Sequence, residues 1–273
     1  MKLNYRTIWI SDTHLGTKSC KAAYLRDFLD YAEAETLYLV GDIIDFWKFK
    51  NGLYWPALHG DIVQRILNKA KNGTQVIYIP GNHDGIMRKL AGTHYSGVDI
   101  QLNAVHTLAN GKKILVLHGD EFDTLACHNK ILYYLGGNAY EMLVLVNRLF
   151  NRLRGKLGFK YWSLAHYVKY KVKNITHFMR NFRHILSLEA QKRQVDGIIC
   201  GHIHHADLTE MEFNKIYANC GDWVESCTAL VEDFQGNLEL IHWLEDSYRL
   251  LDAKARTAPV AGGKARPKSV AVG

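Results

Sequence analysis

The sequence contains no run of eighteen consecutive apolar residues, which argues against a transmembrane helix. Its first residues, Met1-Lys2-Leu3-Asn4-Tyr5-Arg6, lead into a β-type stretch and lack the apolar segment of a secretory leader. The five cysteines, Cys20, Cys127, Cys200, Cys220 and Cys227, are odd in number and form no Cys-x-x-Cys pair. That speaks against a disulfide framework and against a thiolate zinc site. No internal repeat is present. These absences together predict a cytoplasmic protein.

What is there suits a globular chain. At 273 residues and 48% hydrophobic it can bury a large core, as one elaborated domain or as two. The net charge of +7 is unevenly placed. Residues 148–193 carry twelve Lys or Arg against one acid, Glu189, and the tail adds Lys254, Arg256, Lys264, Arg266 and Lys268. The rest of the chain is acidic on balance. The asymmetry predicts an anionic partner met by the middle segment.

Along the chain, short β-favouring runs alternate with helical spacing. Residues 6–11 read as a strand, 19–34 as a helix with Ser19 as a possible N-cap, and 36–40 as a second strand. Residues 56–72 read as a helix opened by Pro56 and closed by Asn72-Gly73. A buried strand, 76–79, runs into Pro80-Gly81 and then Asn82-His83-Asp84. Asn110-Gly111 between two β-type runs marks a hairpin. After Glu121 the spacing turns helical, over 140–153 and again from Leu164 to Leu186. The chain therefore predicts a layered α/β core at 1–122 and 194–252, a helical cap insert at 123–193 and a disordered basic tail at 253–273.

Five of the buried runs end in groups that bind divalent metals: Asp12 and His14; Asp42; Asn82; His118; His202 and His204. Any one of these is ordinarily a structural polar residue, but the same coincidence at five strand ends is not. Ligands of open α/β sheets gather outside the carboxyl ends of the strands. Seven donors exceed a single tetrahedral zinc site and suit two metals sharing a carboxylate, about 3.5–4 Å apart. Two divalent ions would outweigh Asp12 and Asp42 and leave a positive site for a phosphate and a metal-activated hydroxide. His83, beside Asn82 but without a metal of its own, is placed to donate a proton to a leaving oxygen, with Asp84 to orient it. Asp45 reads as a turn cap or a support for a ligand, and Asp120 as a support for His118 or its loop. His59 and His106 read as ordinary polar residues.

Asp-x-His, Gly-Asp-x-x-Asp, Gly-Asn-His-Asp, His-Gly-Asp and Gly-His-x-His, in this order from Asp12 to His204, resemble the calcineurin-like metallophosphoesterase superfamily. The resemblance implies a four-layer β-sandwich flanked by helices, with a dinuclear centre, commonly manganese. It implies that Asp12, His14, Asp42 and His204 hold one ion, and that Asp42, Asn82, His118 and His202 hold the other. The helical insert and Gly-Asp-Ile-Ile-Asp-Phe-Trp are similar to the UDP-2,3-diacylglucosamine pyrophosphatase family of lipid A biosynthesis, whose helical cap receives acyl chains. This chain departs from that family's pattern, with His83 in place of Arg and Glu121-Phe122-Asp123-Thr124 in place of Leu-Cys-Thr.

The expected function is thus a two-metal hydrolase of a lipid-linked nucleotide pyrophosphate. Asn82, His83, His202, Lys171 and Lys173 would contact substrate. A phosphodiesterase or phosphatase acting on a nucleotide or nucleic acid shares the chemistry. A non-catalytic protein that binds an anionic membrane or nucleic acid is the alternative of another class. The basic, aromatic-bearing insert suits peripheral contact with the inner face of the cytoplasmic membrane, and it would also suit nucleic acid.

Overall fold

The computed structural model of the chain describes residues 2–49, 52–123 and 164–247, with side chains from residue 178 onward in the last segment. The helix expected at 140–153, the side chains of Lys171 and Lys173, and the basic tail lie outside the described residues. In chain order the elements are β1 (Leu3–Ile10), α1 (Ala22–Tyr31), β2 (Ala32–Val40), α2 (Phe46–Phe49), α3 (Ala57–Lys71), β3 (Gln75–Ile79), β4 (His94–Tyr95) and β5 (Val98–Ile100). Then follow β6 (Ala104–Thr107), β7 (Lys113–Val116), α4 (Leu164–Lys192), β8 (Gly197–Cys200), β9 (Asp207–Met211), β10 (Lys215–Asn219), β11 (Thr228–Glu232) and β12 (Leu238–His242).

The strands form two sheets, one ordered β12-β11-β1-β2-β3-β5-β4 and the other β6-β7-β8-β10-β9. β1, β2, β3 and β5 run parallel in the first, and β7, β8 and β10 run parallel in the second. Side chains alternate across each strand. Ile8, Ile10, Leu37, Leu39, Val76 and Tyr78 face α1 and α3, where Leu25, Phe28, Ile62 and Ile66 are buried. Trp9, Tyr38, Val40, Ile77 and Ile79 face the other way and meet Ile114, Val116, Ile199 and Ala218 of the second sheet. The outer face of that sheet, with Leu115, Ile198 and Tyr217, is covered by Phe182, Leu186 and Ala190 of α4. The result is four layers, helix–sheet–sheet–helix, the expected architecture.

Two boundaries differ from expectation. The helix predicted over 19–34 is only Ala22–Tyr31, and Ala32 already begins β2. Ala32-Glu33-Ala34 favours helix locally, but pairing of Leu3 with Ala32 and Asn4 with Glu33 overrides that preference. Ser19 is not the cap; its hydroxyl lies 2.9 Å from that of Thr17, and Lys21 precedes the helix without a side-chain bond. The second correction concerns the insert. The part of α4 around 178–190 is the fourth layer of the core, so the stretch assigned to a cap reaches too far toward the C-terminus.

Candidate metal centre

Because β1, β2 and β3 are parallel neighbours, and β7 and β8 are too, their carboxyl ends open on one edge of the sandwich. Backbone bonds knit the five loops together. Asp12 N–H donates to Gly41 O (3.0 Å), His14 N–H to Asp42 O (2.9 Å) and Gly201 N–H to His118 O (3.0 Å). The Asp84 carboxylate ties the third loop to the second, accepting from Ile43 N–H (2.8 Å), Gly81 N–H (2.5 Å) and the Tyr78 hydroxyl (2.5 Å). Close approach sets the glycines. A Cβ on Gly41, which sits at φ +76°, would fall on the His118 ring, and one on Gly201 would meet Asp12 and Ser11.

Five of the seven expected ligands hold left-handed backbone: Asp12 (φ 50°), His14 (47°), Asp42 (53°), His202 (69°) and His204 (53°). Each such residue costs on the order of 1 kcal/mol and persists only where its surroundings dictate it. Here the cost turns side chains that would follow the strand pleat toward a common centre. His14 Nε2 lies 3.3 Å from His204 Nε2 and 3.9 Å from Asp42 Oδ2. His204 Nε2 is 3.2 Å from Asp12 Oδ1, and His118 Nε2 is 3.5 Å from Asp42 Oδ2. Three groups of donors lie each within 4.8 Å: Asp12, His14 and His204, and Asp42, His118 and His202, both made wholly of expected ligands, and His14, Asp45 and His83. Asp42 stands between the first two.

The donor atoms are short of partners. Asp12 Oδ1, Asn82 Oδ1, His83 Nδ1 and His118 Nε2 are buried and accept or donate no hydrogen bond. The other unpaired buried atoms among the described residues, on Trp9, Arg183, Tyr217 and Trp223, are N–H groups and one hydroxyl, and none belongs to an expected ligand. Oxygen and imidazole nitrogen left bare and facing one another fit hard-to-borderline divalent cations. The opposite nitrogens are anchored. His118 Nδ1 donates to Val40 O (3.0 Å), which leaves Nε2 with the lone pair, and His14 Nδ1 lies 3.2 Å from Asp45 Oδ2, which does the same there.

Electrostatics reflect the crowding. Burial pushes the Asp12 carboxyl up, but His204, His118 and His14 outweigh it and hold the group well below the carboxylate range. Burial likewise raises Asp42, and His118 pulls it down. In return, and against burial, Asp42 lifts His118 to about 10 and Asp12 lifts His204 to about 9. Each carboxylate thus favours the charged form of the ring that faces it.

His83 sits at the edge of this cluster, as expected, but its support is different. Its backbone N–H donates to Asp42 Oδ1 (2.8 Å) and its Nε2 is 3.9 Å from Asp42 Oδ2. Asp84 does not touch it: that carboxylate is spent on the loop backbone and Tyr78. Asp45 Oδ2 takes the place behind the ring, 3.0 Å from His83 Nδ1 though off the line of a hydrogen bond. Asp45 Oδ1 also accepts Lys48 N–H (3.1 Å), so Asp45 both caps a turn and backs two imidazoles. The Trp47 ring lies 4.1 Å from that of His83, tilted by 32°. Nothing in the spacing of Trp47 signals this stack, because it depends on how α2 folds back over the third loop. Asp120 pairs with Arg88 through both oxygens (2.7 and 2.8 Å), clasping the loop after β7 to the turn after Asp84. His59 and His106 are internal structural groups; His59 Nδ1 accepts from Gly16 N–H (3.0 Å).

The model of the family described as calcineurin-like phosphoesterase matches residues 5–206, well over half of the chain. A protein of Blochmanniella pennsylvanica named UDP-2,3-diacylglucosamine hydrolase is 29% identical over 77% of this chain and 81% of its own. One of the same name from Psychromonas ingrahamii is 29% identical over 80% and 89%. A solved archaeal phosphodiesterase overlays with a TM-score of 0.43 at 13% identity, over 86% of this chain and 98% of that one.

Proposed function

The chain belongs to the calcineurin-like phosphoesterase family, and from that premise we propose that this metal-dependent hydrolase cleaves the pyrophosphate bond of a UDP-2,3-diacylglucosamine-type lipid nucleotide at a two-metal centre. The observation that carries the chemistry is the set of bare, buried Asp12, Asn82 and His118 atoms on one rim. The substrate class rests on the relatives' names. In this reading Asp12, His14, Asp42 and His204 hold one ion, and Asp42, Asn82, His118 and His202 the other, with manganese as the working metal. Bound divalent ions lower the pKa of water to about 7 and polarise phosphoryl oxygens.

The chain's own residues do the rest. Asp42 is the shared carboxylate, fixed by the His83 backbone N–H. His83 protonates the leaving oxygen from Nε2, its ring held between Trp47 and the T-shaped contact with His14, with ring centres 4.7 Å apart. Asp45 backs the ring. The segment between Asp123 and the core-packed half of α4 caps the rim, with Lys171 and Lys173 meeting phosphate. Its basic, aromatic surface touches anionic lipid. No helix among the described residues is long and apolar enough to cross a membrane, so contact with lipid would be peripheral.

Three substrates test the reading in parallel: UDP-2,3-diacylglucosamine, a cyclic nucleotide and a nitrophenyl phosphate ester, each with manganese. Turnover of the first, with release of UMP, is the expected result. Good turnover of another with none of the lipid nucleotide would keep the hydrolase and discard the substrate. No turnover at all, with fewer than about two ions bound per chain, would favour a non-catalytic binding protein.

A further inference from the structure

Three histidines of the rim have one ring nitrogen tied down. His118 is held by a carbonyl and His14 by the buried Asp45. The third is His202, whose Nε2 lies 2.8 Å from Asp123 Oδ1. Asp123 follows the short turn Asp120–Phe122 after β7, so it reaches His202 from a different segment than the one that carries it. The His202 side chain is 8% exposed and that of Asp123 is 32% exposed. An ionised carboxylate only accepts, so the 2.8 Å contact requires the proton on Nε2. In that tautomer the ring's lone pair is on Nδ1.

We propose that Asp123 is a positioning residue of the metal centre, which fixes the tautomer and ring orientation of His202 through its Nε2–H and so sets the affinity of the Asp42–His118–His202 group for a divalent ion. Asp123 lies outside that group of mutually close ligand atoms, so its part is played through His202 and not as a ligand. It differs from Asp45 in kind. Asp45 is buried and shared between two rings, whereas Asp123 is a partly solvated anchor with helical backbone directly after the turn that leaves β7. Partners of this sort, removed, typically weaken metal binding about 10–100-fold.

The inference rests on His202 being a ligand, and the experiment separates the two claims. Chelator-stripped wild type, Asp123→Ala, Asp123→Asn and His202→Ala are titrated with Mn²⁺ alone by calorimetry. Melting temperatures of the stripped proteins check folding. Asp123→Ala should weaken one class of ion about 10–100-fold and leave the other unchanged. Asp123→Asn, which keeps an acceptor oxygen, should lose less. Long-range proton–nitrogen spectra should show His202 as the Nε2–H tautomer in the wild type and as a mixture in Asp123→Ala. If His202→Ala weakens the ion and Asp123→Ala does not, Asp123 has no such role. If His202→Ala leaves both ions in place, the ligand assignment fails first, and Asp123 with it. A fall in melting temperature with unchanged affinity and tautomer would make Asp123 merely structural and overturn the proposal.

Discussion

The molecule holds two buried clusters of acid and histidine, and they are built to opposite ends. One is the rim just described. The other lies between the sheets around Glu232, whose side chain is fully buried. There Oε1 accepts from Arg6 Nη1 and Ala109 N–H, both at 2.7 Å, and Oε2 accepts from the Thr7 hydroxyl at 2.7 Å and lies 3.0 Å from His106 Nε2. The other nitrogen of His106 is 3.3 Å from the Tyr38 hydroxyl. Every oxygen has partners, the backbone is ordinary, and the charge is matched by Arg6. At the rim, carboxylates and rings face one another with atoms left bare, on backbone held in the left-handed region. Residue type does not separate these two clusters; unmet bonding capacity on carboxylate and imidazole atoms that face one another does.

Asp42→Ala removes the carboxylate between the two donor groups and should have the largest effect. Both ions are expected to be lost and turnover to fall about 10³-fold or more, as removal of several kcal/mol of metal assistance would do. Elemental analysis beside the hydrolysis assay measures both; retention of two ions would remove Asp42 from between the groups. His83→Ala comes next. Turnover should drop about 10²–10⁴-fold with metal content intact. Loss of metal instead would make His83 a ligand and not a proton donor.

Glu232→Ala should do the converse. Breaking a buried charge pair costs about 3 kcal/mol or more of stability, read from denaturant unfolding, while turnover per folded molecule stays unchanged. A fall in turnover equal to that of His83→Ala would erase the contrast between the clusters.

The smallest effect, and the finest test, is in pH. His118 and His204 are raised to about 10 and about 9 in the protein without metal. Groups raised on folding stabilise below their unfolded value, about 6.5, and that contribution is lost as pH climbs through 9–10. Stripped protein should therefore melt at progressively lower temperature from pH 7 to 10, and metal-loaded protein should not. Burial raises Glu232, but its bonds from His106, Thr7 and Ala109 hold it low. Its contribution is present above the unfolded value, about 4.5, and is lost as pH falls below it. That loss should be the same with and without metal. Parallel alkaline melting of the two forms would break the comparison.

The Glu232 cluster also shows why part of the molecule was not legible from the sequence. His106 is one polar residue on an alternating strand, and its partners, Thr7 and Glu232, lie about a hundred or more positions away. No local spacing points to them. The hairpin around Asn110-Gly111 was legible, and Gly111 does carry φ +88°, because a turn depends on adjacent residues only. The end of α1 was not, because Ala32-Glu33-Ala34 answers to β1 and not to its neighbours. At the rim, the donors themselves could be read from strand-end motifs. Asp45 was readable as a turn cap or ligand support, but its place behind His83 was not, nor were Trp47 on that ring, Asp84 on the loop backbone and Asp123 on His202, which come from contacts between segments.

What the sequence by itself determined is the layered α/β class and which polar groups stand at the strand ends, since both follow from period-two burial and from polar groups placed directly after buried runs. What only the tertiary structure decided is which nitrogen of each ring is free, which carboxylate stands behind the acid, and where the fourth layer begins. Those depend on pairing between segments far apart in the chain, which set the left-handed turns and bring the loops within hydrogen-bonding distance.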